Sequence, residues 1–158
     1  MSIFNTTNKT GFKSASKKQQ KLNEEFLNAF LTIDGLCCQR FNVTANGITE
    51  YINRLNNAKY AEGRDEVLAK LVNYRNIRNR FAHEPGYLRT ANELNKEDLA
   101  WVNDFSKDFK KEKDVLAVYL ASAKKFAKTG KGKKLLKQMK KDQAAAEKAA
   151  KKAAKKAK

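Results

Sequence analysis

Residues 71–86 have the sequence LVNYRNIRNRFAHEPG and contain the only histidine and the only proline of the 158-residue chain. Apolar residues recur within this stretch every three or four positions, which is typical of an amphipathic helix. Pro85 ends the helix, because a proline disfavours helical geometry in the residue before it. The stretch therefore predicts a helix that starts near Asp65 and carries His83 in its last turn.

Three further amphipathic segments flank this helix. The first contains the pair Asp34–Gly35, which either ends it early or only weakens it. The last opens at the capping pair Asn95 and Asp98 and runs to about residue 128, with a kink in the charged residues 110–114. The core-facing residues predicted for the four helices are Leu22, Phe26, Phe30, Ile33, Cys37 and Phe41; Ile48, Ile52 and Leu55; Val67, Leu68, Leu71, Tyr74, Ile77 and Phe81; and Leu99, Val102, Phe105, Phe109, Leu116, Leu120, Ala123 and Phe126.

No segment shows the period-two alternation of a half-buried strand. The sequence therefore predicts an all-α fold, and the short connections favour an up-down bundle of four main helices in residues 17–129. Residues 1–16 are rich in Ser, Thr, Asn and Lys and are predicted to form a disordered basic arm. Gly130 and Gly132 precede a basic, low-complexity Lys/Ala-rich extension, residues 130–158, which we expect to be frayed or disordered until it meets a polyanion.

The positive charge of the chain is concentrated in its two arms. Residues 1–21, 22–123 and 124–158 carry +5, −1 and +13 of the net charge of +17. Because a lysine-rich tail attracts phosphates without sequence preference, we expect RNA or DNA as the partner of the arms. A solubilising arm without a target is the alternative. The residues predicted to bind nucleic acid are Arg75, Arg80, Lys133, Lys134, Lys137, Lys140, Lys141, Lys151, Lys152, Lys155 and Lys156.

The two cysteines, Cys37 and Cys38, are adjacent, and neighbouring cysteines rarely form a disulfide with each other. They lack a metal-ligand spacing, and one histidine with scattered carboxylates gives no ligand cluster. The sequence therefore predicts no metal, no cofactor and a cytoplasmic protein with reduced thiols. No apolar run approaches the length of a membrane span, so no membrane partner is expected.

Arg78 lies near the centre of the apolar stripe of its helix. At about 100° per residue, it falls within about 20–40° of that centre. An unpaired buried guanidinium is unfavourable, so the side chain needs an anionic partner. That partner is either a carboxylate on a neighbouring helix or an anion met in a cleft or a subunit interface.

His83 shares one face of the helix with Asn79, four residues earlier. The C-terminus of a helix favours a protonated imidazole, and histidine titrates near neutral pH. A histidine close to Arg78 therefore predicts proton transfer beside a fixed cation. The alternatives are structural: His83 caps the last carbonyls of the helix, and Arg78 forms a salt bridge.

The segment Arg78-Asn79-Arg80-Phe81-Ala82-His83 resembles the Arg–polar–x3–His signature of the HEPN superfamily. Its position near the end of the third helix of an all-helical domain makes the match more specific. The surrounding YRNIRNRFAHEPG is similar to the helix-end context of small stand-alone HEPN proteins. This resemblance covers residues 20–128 and leaves the Lys/Ala-rich tail outside.

The resemblance implies a helical bundle that dimerises through the motif region and cleaves RNA without a metal. Carried over by position, Arg78 and His83 form the catalytic pair, contributed by two protomers to one cleft, and Asn79 supports them. A toxin or defence effector is also implied, with a separate antitoxin or regulatory protein as a partner. Some toxin members follow the His with x-Tyr, whereas Glu84–Pro85 follow here, so regulation through modification of Tyr87 is not expected.

The sequence is compatible with three functions. The first is a homodimeric, metal-independent endoribonuclease, in which His83 is base or acid and Arg78 stabilises the phosphorane. The second is a non-catalytic nucleic-acid-binding dimer, in which the basic arms bind and both motif residues are structural. The third is a protein-interaction module of a toxin or defence system. Cleavage of RNA that depends on His83 distinguishes the first from the other two.

Overall fold

The computed structural model describes residues 14–156, which contain seven helices and, within this range, no strand. The predicted all-α fold is confirmed. None of these helices combines the length and the apolar composition needed to cross a membrane. The chain divides into two units, one ending at Val118 and the other starting at Tyr119. The helices are α1 (Lys17–Phe41), α2 (Gly47–Asn57), α3 (Arg64–His83), α4 (Tyr87–Thr90), α5 (Lys96–Lys110), α6 (Val115–Ala127) and α7 (Gly130–Lys156).

Helix α1 begins at a side-chain cap and is continuous to its end. Ser16 Oγ accepts a hydrogen bond from the N–H of Gln19 at 3.0 Å, which satisfies one free donor of the first turn. The Asp34–Gly35 pair weakens the helix without ending it, because burial on both sides outweighs the cost of about 1 kcal/mol for a mid-helix glycine. Asn42 ends α1 in the left-handed conformation, with φ of 54°.

The core of the first unit is built around α1, which packs against α2, α3, α4 and α5. Its centre is aromatic, with edge-on ring pairs Phe26–Tyr74 at 5.3 Å and Tyr51–Phe105 at 5.4 Å. The Tyr74 hydroxyl donates to Asp98 Oδ1 at 2.8 Å, and burial together with this bond raises the pKa of Tyr74. Predicted core residues that are buried are Phe26, Phe30, Ile33, Cys37, Ile48, Ile52, Leu55, Leu71, Tyr74, Ile77, Val102, Phe105, Phe109 and Leu116.

Helices α1 and α2 come into close backbone contact at Gly47, the first residue of α2. A Cβ atom there would lie 2.3 Å from the carbonyl oxygen of Asp34 and 2.5 Å from the backbone nitrogen of Cys38. Both atoms belong to the backbone of α1, so no side-chain rotation could relieve the overlap. The space between the two helices therefore requires a glycine.

Residues 86–94, predicted to be a loop, contain the single helical turn α4, which the buried Asn23 attaches to α1. Asn23 Nδ2 donates to the carbonyl oxygens of Leu88 and Ala91, each at 3.0 Å, and Oδ1 accepts from Gln19 Nε2 at 3.0 Å. The polar atoms of this buried side chain are satisfied, as burial requires. These bonds hold the segment that follows α3 against the start of α1.

The predicted fourth helix is two helices, α5 and α6, so residues 110–114 end a helix rather than kink it. Glu112 adopts a left-handed conformation with φ of 55°. Asp114 then starts α6, because its Oδ2 accepts the N–H of Ala117 at 3.3 Å. A run of charged residues does not by itself show such a break, because lysine and glutamate are good helix formers.

Asp114 is also the buried carboxylate of a polar cluster that joins three parts of the first unit. Arg40 Nη1 donates to both of its oxygens, at 3.0 and 3.1 Å, and the Tyr51 hydroxyl donates to Oδ2 at 2.8 Å. Arg40 Nη2 donates to the carbonyl of Phe109 at 2.7 Å, and the Tyr51 hydroxyl accepts the N–H of Leu116 at 3.2 Å. Burial and the Asp114 charge raise the pKa of Tyr51, so its hydroxyl remains a donor.

Helix α7 corrects the expectation that the extension is frayed or disordered, because it is helical over Gly130–Lys156. Alanine and lysine are strong helix formers, and 27 residues are long enough for this propensity to act. The Thr129 hydroxyl caps the helix by accepting the N–H of Gly132 at 3.1 Å. Three residues of the second unit that were predicted to face the core are exposed: Leu120, Ala123 and Phe126.

The last residues of the predicted N-terminal arm are hydrogen-bonded. The N–H of Ala15 donates to the carbonyl of Arg89 at 2.9 Å, and Ser16 caps α1, so these two residues are fixed by hydrogen bonds. The disorder predicted for residues 1–16 is therefore not observed at Ala15 and Ser16. Residues 1–13, the rest of the predicted arm, lie outside the described residues.

Candidate functional site

Helix α3 ends at His83, as the sequence predicts. Glu84 leaves helical geometry with φ of −97°, and its N–H donates to the carbonyl of Arg80 at 2.8 Å. Pro85 follows, and Gly86 turns the chain into α4 with a left-handed φ of 80°. The histidine of the motif therefore lies in the last helical turn, as predicted.

Arg75 and Arg78 line a cavity of about 330 Å³ between α1, the start of α2, and α3. Both side chains are partly buried. Neither forms an ion pair with a carboxylate of residues 14–156. The carboxylate that Arg78 could have met on a neighbouring helix is therefore not found within residues 14–156. Polar residues that also line the cavity are Asp34, Asn46, Thr49, Asn76 and Asn79.

His83 is exposed, and its ring forms no hydrogen bond with the part of the chain that the structure describes. The ring therefore does not cap the last carbonyls of α3, one of which accepts the backbone N–H of Glu84 instead. The imidazole is accessible to a ligand or to a second chain.

The motif residues of one chain divide between two surfaces of α3. Asn79 lines the cavity with Arg78 and accepts its Nη1 in a long hydrogen bond of 3.4 Å. His83 is not part of the lining of this cavity. Five residues along an ideal helix give a rotation of about 140° and a rise of about 7.5 Å relative to Arg78. A single chain therefore does not bring the arginine and the histidine into one cavity.

Arg80, predicted to bind nucleic acid, is held by contacts within the chain. Its guanidinium pairs with Glu84 at 3.2 Å and with Glu93 at 3.5 Å. It also lies 3.9 Å from the ring centre of Tyr87, whose hydroxyl bonds Glu93. The charge of Arg80 is thus compensated locally, whereas that of Arg75 is not.

Asp34 of α1 caps α2, in place of the residue that precedes the helix. Its Oδ1 accepts the N–H of Ile48 at 3.0 Å, whereas Asn46 forms no side-chain cap. This carboxylate lines the same cavity as the two arginines. Sequence reasoning missed its role, because a side chain that caps a different helix leaves no local pattern.

Neither thiol is part of the candidate site. Burial raises the pKa of Cys37 to about 12, so its thiolate is scarce at neutral pH. Cys38 is partly exposed, and both residues are free thiols. Residues 14–156 contain no group of three or more His, Cys, Asp or Glu side chains placed to hold a metal ion.

The lysines predicted to bind nucleic acid lie on one side of α7. At about 100° per residue, they and Lys148 fall within an arc of about 160°, and Lys131 lies outside it. We call this arc the lysine face. It is exposed and runs along a helix about 40 Å long. The opposite side carries Leu135, Leu136, Met139 and then mainly alanines.

A larger groove, of about 580 Å³, runs along the starts of α1 and α5 and contains none of the predicted site residues. Its apolar lining is formed by Leu22, Leu94 and Leu99, and Glu25 and three lysines also line it. The smaller cavity is the better candidate, because it combines uncompensated cations with hydrogen-bonding side chains.

No curated protein and no solved structure matches the chain. The model of a family of unknown function, DUF6548, matches residues 24–158. This range includes α7 and extends beyond residues 20–128, where the motif resemblance lies. Since the match spans most of the sequence, the chain belongs to the family of unknown function DUF6548.

Proposed function

We propose that the chain is a metal-independent endoribonuclease of HEPN type, acting as a homodimer with Arg78 and His83 of both protomers in one cleft. One joint observation carries the proposal. Arg78 is partly buried in a cavity without a carboxylate partner in residues 14–156, and His83 is exposed with an unbonded ring. The salt bridge and the helix cap that would give these residues structural roles are both absent from the described chain.

The reaction is attack of an RNA 2′-hydroxyl on the adjacent phosphorus, with departure of the 5′-oxygen. It needs a proton acceptor, a proton donor and a cation for the charge that develops on the phosphorane. His83 carries the proton, and Arg78 donates forked hydrogen bonds to the phosphorane oxygens. A monomer supplies one histidine and is therefore short of one proton carrier.

A two-fold dimer removes this shortage, because it places two copies of each residue at one interface. The separation of Arg78 and His83 on different surfaces of α3 also favours a dimer. In such a dimer, the histidine of one protomer meets the arginine of the other. We therefore propose that the chain is a HEPN-like four-helix bundle. We also propose that it acts in the cytoplasm as a toxin or defence effector and that an antitoxin is a further partner.

His83→Ala is expected to lower cleavage of a mixed RNA pool by about 10²- to 10⁴-fold, because the variant lacks the proton carrier. Cleavage by the unaltered chain is expected to persist in EDTA. The measurement is the rate of loss of full-length RNA for both proteins, with and without the chelator. Light scattering checks that the dimer remains intact.

Glu66→Ala is the matched control, because Glu66 is exposed at the opposite end of α3. It is expected to cleave like the unaltered chain. Equal cleavage by the His83→Ala dimer would show that the histidine has no catalytic role. Loss of cleavage in EDTA would contradict metal independence.

A second candidate function is non-catalytic nucleic-acid binding through the basic arms. The observation that favours it is the lysine face of α7, since a preformed helix with its cations on one side can contact phosphates without an ordering cost. Loss of RNA binding on removal of residues 130–158, with no cleavage by the intact chain, would support this function over the first.

Changing residues 149–156 from AAKKAAKK to KKAAKKAA tests whether the lysine face acts as a face. The exchange preserves composition, net charge and helix propensity but moves four lysines to the opposite side. We expect RNA affinity, measured by fluorescence anisotropy, to fall about tenfold at about 0.15 M salt, because these phosphate contacts are lost. A tail that acts only through its total charge would keep the original affinity.

A further inference from the structure

The cavity between α1, α2 and α3 contains an excess of positive charge. Arg75 and Arg78 are three residues apart and therefore lie on neighbouring positions of one helix face. Four other arginines of the described chain form ion pairs with carboxylates: Arg40, Arg54, Arg64 and Arg80. Arg89 forms none within residues 14–156, but it is exposed. The two cavity arginines are distinguished by being partly buried while lacking a carboxylate partner within that range.

The one carboxylate in the cavity lining is already engaged. Asp34 accepts the N–H of Ile48, so its negative charge already occupies the N-terminus of α2, where an anionic ligand could otherwise bind. The helix end is therefore not the binding group of this cavity. Two guanidiniums face one carboxylate, and the lining has a net positive charge.

The chemistry of the cavity fits a phosphate group. Guanidiniums present rigid forks of N–H donors that match phosphate oxygens, and two of them can surround a single group. Asn79 and Thr49 add neutral hydrogen-bonding groups to the lining. The volume of about 330 Å³ lies at the lower end of small-molecule sites, so the phosphate has room to carry a nucleoside.

We propose that this cavity binds a phosphate group of a nucleotide or of an RNA strand through Arg75 and Arg78, and that Asp34 limits the affinity. The proposal goes beyond the ribonuclease function, because it holds without cleavage and without His83. Where the ligand is RNA, the phosphate held by Arg75 and Arg78 is the one at which the reaction occurs, and this part alone rests on the proposed function.

Two ligands distinguish the sources of the phosphate. Adenosine 5′-monophosphate offers a terminal phosphate, and a trinucleotide with unphosphorylated ends offers only diesters. Each is titrated into the full-length chain by calorimetry at about 0.15 M salt, where weak surface attraction is screened. Adenosine serves as the ligand without a phosphate and is expected not to bind.

Arg75→Gln is expected to weaken binding of the preferred ligand at least tenfold, roughly the loss of one charge-assisted hydrogen-bonded group. Lys70→Gln removes one positive charge from the same helix but outside the cavity lining, and it is expected to leave the affinity unchanged. Asp34→Asn keeps an oxygen that can cap α2 and removes the negative charge. This variant is expected to bind about threefold more tightly or better.

Binding of either phosphate ligand with this order of affinities supports the cavity, and the ligand that binds identifies the source. Equal losses in Arg75→Gln and Lys70→Gln would overturn the proposal, because binding would then reflect net charge. Absence of binding by both ligands would overturn it as well. Cleavage by the unaltered chain without binding of either ligand would contradict this proposal alone, whereas binding without cleavage would contradict only the ribonuclease function.

Discussion

Asp114→Ala is expected to lower the free energy of unfolding by about 3–5 kcal/mol, because it leaves a charged partner without compensation. Arg40 would lose its carboxylate while remaining largely buried, with 23% of its side chain exposed. The Tyr51 hydroxyl would lose its acceptor, and the first turn of α6 would lose its cap. Denaturant unfolding followed by circular dichroism measures the change.

Asp104→Ala is the control for this prediction, since Asp104 is an exposed aspartate in α5. A change within about 0.5 kcal/mol is expected there, as for most surface substitutions. A loss in Asp114→Ala no larger than in the control would show that the buried cluster contributes little. Tyr51→Phe is expected to fall between the two, because it removes one hydroxyl and leaves the ion pair intact.

Gly47→Ala is expected to destabilise the chain by about 3 kcal/mol or more, at the upper end for an overpacked core. The added methyl group would overlap backbone atoms of α1 at 2.3 and 2.5 Å, so one helix must move away from the other. Such a movement would also weaken the Asp34 cap on α2. Thermal and denaturant unfolding measure the loss.

Gly35→Ala provides a control with the opposite sign. Gly35 lies in the middle of α1, and no atom of a neighbouring residue lies within 4 Å of the position that a Cβ atom would occupy there. The substitution is therefore expected to stabilise the chain by about 0.5–1 kcal/mol, the usual gain from removing a mid-helix glycine. Destabilisation of the same size in both variants would contradict the steric argument at Gly47.

The parts of the fold that were predictable depend on periodicity within a single helix. The apolar stripes identified α1, α2 and α3 and most of the buried core, because burial selects residues at helical spacing. The break at Glu112 and the cap formed by Asp34 were not predictable. Both depend on contacts between residues far apart in the sequence, and such contacts leave no periodic trace. Asn23 did leave such a trace, because it is a polar residue on the apolar stripe of α1, three residues before Phe26.

The candidate site was predictable in its residues but not in its arrangement. The lone histidine, the proline stop and the arginine on an apolar stripe identified Arg78 and His83. Their separation on α3 and the second arginine in the cavity required the packing of α1 and α2 against that helix. The engagement of Arg80 by Glu93 was equally hidden, because the two lie on either side of α4.

The bonds of Asn23 have a consequence for local opening of the structure. They join the segment after α3 to the start of α1, residues that are 65 and 68 positions apart. Fraying of the first turns of α1 therefore also releases the segment that follows His83. In the language of native-state hydrogen exchange, the two regions form one cooperative unit, and they open together at a free energy below that of global unfolding.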